Sequence, residues 1–253
     1  MADINFSKIK KSLNSLQWHF DEMLGIKRTE DVYNKIAKGN KYEYLLNYSS
    51  RVGFLRKVVK KLDPIPTSVL DLACGTGALI EALPNLHSTR VVGVDISRGM
   101  LDIAKKKFRD YPSVKLMKVD FMKASFPKSD FDLISMAYAM RFIPKGKEKD
   151  FVHLVSRWLH RNGVFLIINS RRSYGPFFDK IYTKLYKGFN TEIIQEKKMV
   201  QFLSPEFYLV KKIPLTRNNF PFITAAYYFK KLQIKKTTKH FITRVRVKTF
   251  QAA

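Results

Sequence analysis

The most constraining feature of this chain is the segment 69–77, which reads Val-Leu-Asp-Leu-Ala-Cys-Gly-Thr-Gly. A short apolar run that ends in an acid is typical of a buried parallel strand. Gly75 and Gly77 allow a turn through positive φ and let a ligand approach the main chain closely. A second apolar run follows at 91–95 and ends in Asp95. A glycine turn followed by an acid on the next strand predicts a site for an adenosine cofactor, whose ribose hydroxyls the acid would bind.

The spacing of the glycines separates two classes of cofactor. A dinucleotide-binding loop has a third glycine three residues after the second, where it packs the helix close to the strand. This chain has Ile80 at that position, which disfavours a dinucleotide. An ordinary strand and turn with two glycines remains the structural alternative. The two acids, Asp71 and Asp95, favour the cofactor site over that alternative.

Asp71, Gly75 and Gly77 resemble motif I of class I S-adenosylmethionine-dependent methyltransferases, which has the pattern D-x-x-x-G-x-G. The resemblance implies S-adenosyl-L-methionine as the cofactor and a Rossmann-like methyltransferase fold with a seven-stranded, mostly parallel sheet. The chain itself supports this fold class, because strand and helix patterns alternate from the Pro64-Ile65-Pro66 break to about residue 170. Such alternation predicts an α/β, doubly wound sheet.

The five predicted parallel strands are 68–72, 90–95, 114–119, 131–136 and 164–169. The segments 233–240 and 241–250 are predicted to form an antiparallel pair that completes the sheet. Residues 1–61 are expected to form an N-terminal helical extension or lid, and residues 62–253 the cofactor-binding domain. Within that domain, 174–230 is expected to be an aromatic, basic insertion on the substrate side.

Open α/β sheets bind ligands at the carboxyl ends of their strands, so the candidate site residues follow the predicted strand ends. Asp120 can accept a hydrogen bond from an adenine amino group, and Phe121 can pack on the ring. The structural alternative for Asp120 is the N-cap of a helix. The candidate cofactor-binding residues are Asp71, Ala73, Gly75, Gly77, Asp95, Ile96, Met100, Asp120, Phe121, Ala137 and Tyr33.

The segment 131–143 resembles the strand-four motif of the ubiquinone and menaquinone C-methyltransferase family, in which a small–aromatic–small–apolar–Arg sequence follows the strand. Phe142 departs from the asparagine usual after that arginine. The segments 32–43 and 168–186 resemble the family's N-terminal segment and its aromatic helix after strand five, with insertions and substitutions. The similarity runs from about residue 31 to 190.

That resemblance implies a prenylated quinol, or a similar lipid-soluble aromatic, as the methyl acceptor. Methylation at carbon needs an electron-rich ring, which a phenolate supplies. Arg141 is the candidate to stabilise the phenolate, with a surface or ion-pair role as the alternative. Tyr42 is the second candidate catalytic residue, since Tyr42 and Tyr33 can close over the site or simply pack. No general base is evident.

The chain carries 47 Lys+Arg and 21 Asp+Glu, a formal net charge of +26. This charge favours an anionic partner such as a lipid surface or nucleic acid, unless it serves only solubility. An RNA methyltransferase is therefore the rival hypothesis. However, the sequence after the fourth strand lacks the Asn-Pro-Pro-Tyr type motif found in enzymes that methylate exocyclic amines. A methyltransferase of another small molecule is a further alternative, and a non-catalytic basic subunit with this fold is a third possibility.

Cys74 is the only cysteine, which excludes an internal disulfide and a cysteine metal cluster, and no metal site is expected. No apolar run approaches the ~20 residues that cross a bilayer. The start of the chain lacks the pattern of a secretory signal. Residues 6–24 form a basic amphipathic helix pattern that suits either packing or an anionic membrane surface. A cytoplasmic protein, with peripheral membrane contact as an option, is the expectation.

Overall fold

The computed structural model describes residues 29–38, 43, 48–144, 146–171, 195–215 and 223–233. Its helices are α1 (Thr29–Ala37), α2 (Tyr48–Val59), α3 (Ala78–Ala82), α4 (Arg98–Lys107), α5 (Glu148–Trp158) and α6 (Glu196–Leu203). Its strands are β1 (Ser68–Leu72), β2 (Arg90–Asp95), β3 (Val114–Lys118), β4 (Phe131–Ala137), β5 (Leu159–Arg171), β6 (Phe207–Leu215) and β7 (Ile223–Lys231).

The seven strands form one sheet in the order β3-β2-β1-β4-β5-β7-β6. Strands β1 to β5 pair in parallel, and β7 runs antiparallel between β5 and β6. The chain builds outward from β1 to β3 on one side and from β4 to β5 on the other. The strand order therefore reverses between β1 and β4, and open sheets bind ligands in the crevice at this point.

The sheet confirms the fold class predicted from the sequence, with one correction to its antiparallel part. The antiparallel pair is formed by β6 and β7, in the segment predicted to be a substrate-side insertion. Residues 225–229 are buried on both faces of the sheet, so their continuous apolar run marks an internal strand. Apart from Gln233, the pair predicted at 233–250 lies outside the described residues. Strand β5 also begins at Leu159 instead of Val164, so α5 ends at Trp158.

Helices cover both faces of the sheet, as a doubly wound fold requires. Buried residues of α2, α3 and α4 pack on one face, and those of α5 and α6 pack on the other. The second layer is rich in fully buried aromatic side chains, among them Trp158, Phe131, Phe151 and Phe165. Burying a large apolar side chain stabilises a fold by roughly 1.5–3 kcal/mol, so these rings contribute much of the stability of the layer beneath the site. Among the described helices, none is long and apolar enough to span a membrane.

The amino ends of β1 and β4 are joined by one carboxylate. Asp132 Oδ2 accepts hydrogen bonds from Thr67 N (3.1 Å), Thr67 Oγ1 (2.8 Å) and Ser68 N (3.2 Å). The Ser68 hydroxyl accepts a return bond from Asp132 N at 3.0 Å. Partial burial works against ionisation, but the bonds from Thr67 and Ser68 outweigh it and lower the pKa of Asp132. This network lies at the edge of the sheet opposite the ligand-binding crevice.

Candidate active site

The loop after β1 passes through three residues with positive φ. These angles are 55° at Ala73, 57° at Gly75 and 85° at Gly77. A Cβ at Gly77 would lie 2.3 Å from Cε2 of Phe108, so this glycine is needed for packing against the end of α4. A Cβ at Gly75 would meet no atom within 4 Å. Gly75 therefore borders open space, and its backbone is accessible to a ligand.

Asp95 joins this glycine loop to the end of β2. Its Oδ2 accepts a hydrogen bond from Gly75 N at 2.8 Å, and its Oδ1 accepts one from Ser97 N at 2.8 Å. Burial raises the pKa of Asp95, while the backbone bonds oppose that rise. Each carboxylate oxygen has a second lone pair, so Asp95 can still accept the hydroxyls of a ribose. The two loops are held together before any ligand binds.

Asp71 lies at the end of β1, directly beside Ser135 of β4 in the strand register. Its side chain is only 2% exposed, and the Ser135 hydroxyl donates a hydrogen bond to its Oδ1 at 2.7 Å. Burial raises the pKa of Asp71 to about 7, although the bond from Ser135 works in the other direction. A cation bound nearby would favour the ionised carboxylate. The position suits a ligand that carries positive charge.

Asp120 and Phe121 follow β3, and both have contacts within the protein. Asp120 Oδ1 accepts a hydrogen bond from Met122 N at 2.9 Å, so this carboxylate caps a turn, which resembles the structural alternative considered for it. Phe121 is half-buried and packs edge-on against Phe151, with ring centroids 5.8 Å apart. Both residues lie at the predicted edge of the sheet. Their roles toward an adenine ring stay predictions.

Ile96 and Met100 were both predicted to contact the cofactor, but they differ in burial. Ile96 is 36% exposed at the end of β2. Met100 is buried in α4, where it packs with Ile36 and Ala37 of α1. Met100 therefore supports α1, and of the two only Ile96 presents substantial surface to a ligand.

The backbone also has positive φ where the chain leaves β4. Tyr138 has a φ of 60°, and its N–H donates to the Ile168 carbonyl at 2.7 Å. A non-glycine residue in this region is strained, and such strain is found preferentially at functional sites. The guanidinium carbon of Arg51, in α2, lies 5.2 Å from the centre of the Tyr138 ring. Ala137, the last residue of β4, is half-buried next to this turn.

Arg141 lies in the 3-10 turn Met140–Phe142 that follows β4. Its guanidinium carbon is 5.1 Å from the centre of the Phe142 ring. Phe142 in turn contacts Tyr33 of α1 edge-on, with centroids 5.8 Å apart. The structure therefore brings Arg141 and Tyr33 to the same edge of the sheet through Phe142. Tyr42, the second predicted catalytic residue, lies outside the described residues.

Three polar residues of this region were not predicted from the sequence as site residues: Ser135, Asn34 and Arg51. Ser135 had a signal, because it is the one uncharged polar residue in the apolar strand β4. A strand alignment would have placed it opposite Asp71. Asn34 and Arg51 had no such signal in the sequence, because their contacts depend on how α1 and α2 pack. The described residues contain no group of three or more side chains suited to hold a metal ion.

We expect Asp95→Ala to weaken binding of S-adenosylmethionine by ~1–3 kcal/mol, because ribose hydroxyls would lose their acceptor. The loss of the Gly75 and Ser97 contacts would add to this effect. Isothermal titration gives the affinity, and thermal denaturation separates a binding defect from unfolding. Asp102→Ala, which removes an exposed acid from α4, is the matched control. Parental affinity in the Asp95 variant would exclude this role.

Residues 69–163 match the protein family described as methyltransferase domain. A demethylmenaquinone methyltransferase of Staphylococcus saprophyticus subsp. saprophyticus is 25% identical over 169 residues, which cover 64% of this chain and 70% of that protein. A protein of the same name from Lysinibacillus sphaericus is 25% identical over 185 residues, which cover 63% of this chain and 76% of the relative.

Solved structures with the same fold include a SAM-dependent methyltransferase from Aquifex aeolicus. It has a TM-score of 0.56 and 18% identity, and the match covers 80% of this chain and 98% of that one. The N-methyltransferase NodS from Bradyrhizobium japonicum WM9 has a TM-score of 0.56 and 13% identity, with 77% and 99% covered. At these identities the two likenesses establish the fold.

Proposed function

Because this chain is an S-adenosylmethionine-dependent methyltransferase, we propose that it methylates a ring carbon of a prenylated quinol or a similar lipid-soluble aromatic. The observation that carries this proposal is the turn after β4, where Arg141 lies beside the Phe142 ring at the ligand-binding edge of the sheet. The names of the relatives in Staphylococcus and Lysinibacillus support the same acceptor class.

The described residues fit the cofactor at three points. The loop at Gly75 borders open space, Asp95 offers carboxylate lone pairs for ribose hydroxyls, and the buried Asp71 favours a positively charged ligand. When bound, S-adenosylmethionine supplies a methyl group that is already activated by its sulfonium. The protein therefore has to hold the acceptor in line and stabilise its charge, with little covalent chemistry of its own.

Arg141 would stabilise the acceptor as a phenolate. A guanidinium is charged at every physiological pH and is weakly hydrated, so it can lie next to an aromatic ring and still attract an anion. Its contact with Phe142 shows that it already lies on an aromatic surface. Lowering the pKa of a phenol in this way places electron density on the ring carbon that receives the methyl group.

Aromatic side chains would provide the binding surface for the acceptor ring. Three half-buried rings are available: Tyr33, Tyr138 and Phe142. Tyr138 and Phe142 follow β4, and Tyr33 reaches Phe142 from α1. Flat apolar rings bind aromatic ligands through offset or edge-on contacts. They also exclude water, which strengthens the interaction between Arg141 and a phenolate.

We further propose that residues 1–61 act as a lid on the 62–253 domain, and that the protein works in the cytoplasm at an anionic membrane surface. The docking of α1 on α4 supports the lid, and the net charge of +26 supports the membrane contact. Each lysine or arginine near an anionic bilayer contributes roughly 1 kcal/mol to membrane binding. The positive charge would therefore hold the protein at the membrane, where a prenylated acceptor resides.

The acceptor can be identified by supplying labelled cofactor with demethylmenaquinol in detergent micelles, or with total RNA. We expect label in the quinone fraction and none above background in RNA, because the proposed acceptor site is lined mainly by aromatic rings. The same +26 charge is the observation that favours RNA, so the RNA arm is a direct competitor. Label in RNA alone would reject the quinol proposal.

A further inference from the structure

We infer that Asn34 is a positioning residue that fixes the ribose-binding carboxylate from the N-terminal helix. Asn34 lies in α1, and its Oδ1 accepts two hydrogen bonds from the start of α4. The donors are Ser97 Oγ at 2.8 Å and Gly99 N at 2.9 Å. A backbone N–H can only donate, so the Asn34 atom that faces Gly99 must be the oxygen. This orientation leaves the Ser97 hydroxyl as the second donor.

The contact to Ser97 continues to the cofactor loop through a chain of hydrogen bonds. The Ser97 hydroxyl accepts from Met100 N at 3.2 Å and caps α4, while Ser97 N donates to Asp95 Oδ1 at 2.8 Å. The other oxygen of Asp95 accepts from Gly75 N at 2.8 Å. Ser97 is fully buried, so water does not compete for these bonds. Asn34 is therefore two side chains away from the glycine loop.

Close packing places Asn34 over α4. A Cβ at Gly99 would lie 3.0 Å from the Cβ of Ala37 and 3.3 Å from the Cα of Asn34. A Cβ at this position would therefore press α1 away from α4 by a few tenths of an ångström. Ile36 and Ala37 complete the contact by packing with Met100. The oxygen of Asn34 thus has little freedom to leave the start of α4.

Two further contacts extend α1 across the site. Glu30 Oε1 lies 2.7 Å from the Lys118 ammonium at the end of β3, and the Tyr33 ring contacts Phe142 after β4. Helix α1 therefore touches the exits of three strands. A helix of nine residues is marginal by itself, so its formation depends on these contacts. Docking of α1 and ordering of Asp95 should then favour each other, and a cofactor that binds Asp95 should strengthen both.

The test compares three variants by isothermal titration with S-adenosylmethionine at pH 8, with no acceptor present. Asn34→Leu keeps the side-chain volume but removes the acceptor, and we expect its Kd to rise at least tenfold. Asn34→Asp keeps an oxygen toward Ser97 and Gly99 and places a negative charge at the start of a helix, which is favourable. We expect its Kd to stay within threefold of the parent. Lys38→Ala, at an exposed position after α1, should bind like the parent.

Kinetics and a second route to the same defect complete the test. In Asn34→Leu the KM for the cofactor should rise while kcat at saturating cofactor is retained, because Asn34 acts on binding alone. Gly99→Ala leaves Asn34 in place but presses on Ala37, so it should raise the Kd in the same direction. Parental Kd in either Asn34→Leu or Gly99→Ala would overturn the inference. An equal rise of the Kd in Asn34→Leu and Asn34→Asp would also overturn the inference.

The inference depends on the cofactor and not on the identity of the acceptor. The Kd is measured without an acceptor, so a negative result leaves the quinol proposal standing. Conversely, finding another acceptor would leave the role of Asn34 untouched.

Discussion

Asp71→Asn is expected to make the cofactor-free protein more stable at pH 8, by roughly 2–3 kcal/mol. Burial raises the pKa of Asp71 from 3.8 to about 7, so the folded state binds the proton of the Asp71 carboxyl group more tightly than the unfolded chain does. The parent therefore loses stability as the pH rises from about 4 to about 7, and it does not regain it above that range. Asparagine is neutral throughout and can still accept the bond from Ser135. The buried amide NH₂ that it introduces offsets part of the gain.

Urea unfolding of parent and variant at pH 5 and pH 8 measures this effect. The difference between the two proteins should grow as the pH rises. Asp95 raises the pKa of Asp71 and Arg51 lowers it, and both remain in the variant, so the comparison isolates Asp71. Asp102→Asn removes an exposed acid and should leave the pH dependence intact. Identical pH dependence in parent and Asp71→Asn would contradict the prediction.

The same variant should bind S-adenosylmethionine more weakly, since a neutral amide attracts a positively charged ligand less than a carboxylate does. Stability and cofactor affinity would then change in opposite directions. This is the expected behaviour of a buried acid that is retained for binding.

Arg141→Gln is expected to lower kcat at least 100-fold, which corresponds to about 3 kcal/mol of lost stabilisation. Glutamine retains a polar side chain but supplies no positive charge to a phenolate. The affinity for the cofactor should stay within twofold, because Arg141 lies in the turn after β4 beside the Phe142 ring and is proposed to act on the acceptor. Arg141→Lys keeps the charge without the planar fork and should be intermediate.

The pH profile of this variant distinguishes phenolate stabilisation from a structural role. Without the guanidinium the acceptor hydroxyl must ionise unaided, so the rising limb of the kcat profile should shift to higher pH. Arg109→Gln changes an exposed arginine after α4 and serves as the matched control. A parental kcat, or a loss of rate with an unshifted profile, would remove Arg141 from the proposed role.

Local patterns in the sequence predicted the parts of this fold that depend on local interactions. The segment around Asp71, Gly75 and Gly77 combines a strand and a glycine turn within a few residues, so both elements were predicted directly. Strand β7 was missed, because an apolar run such as 225–229 has no period that separates a strand from a buried helix. The aromatic residues of 174–230 suggested an insertion. Residues 225–229 within it are buried on both faces, so they form a strand of the sheet.

The polar contacts of the site were harder to predict, since they join distant parts of the chain. Ser135 and Asp71 are 64 residues apart, and Asn34 and Ser97 are 63 residues apart. Each pair comes into contact only after the strands align or α1 docks, so the spacing of residues in the sequence does not predict these contacts. Ser97 differs from these pairs, because its role as the N-cap of α4 depends only on neighbouring residues.

The Asp132 network gives this enzyme two functionally separate ends. Asp132, Thr67 and Ser68 join β1 to β4 at their amino ends, while Asp71 and Ser135 join the same two strands at the cofactor crevice. Distant sites in a domain contribute almost additively to its stability. Mutations at the amino ends can therefore accumulate and adapt the protein to a different growth temperature without rebuilding its chemistry. Descendants of such a chain could diverge in heat tolerance and in substrate independently of each other.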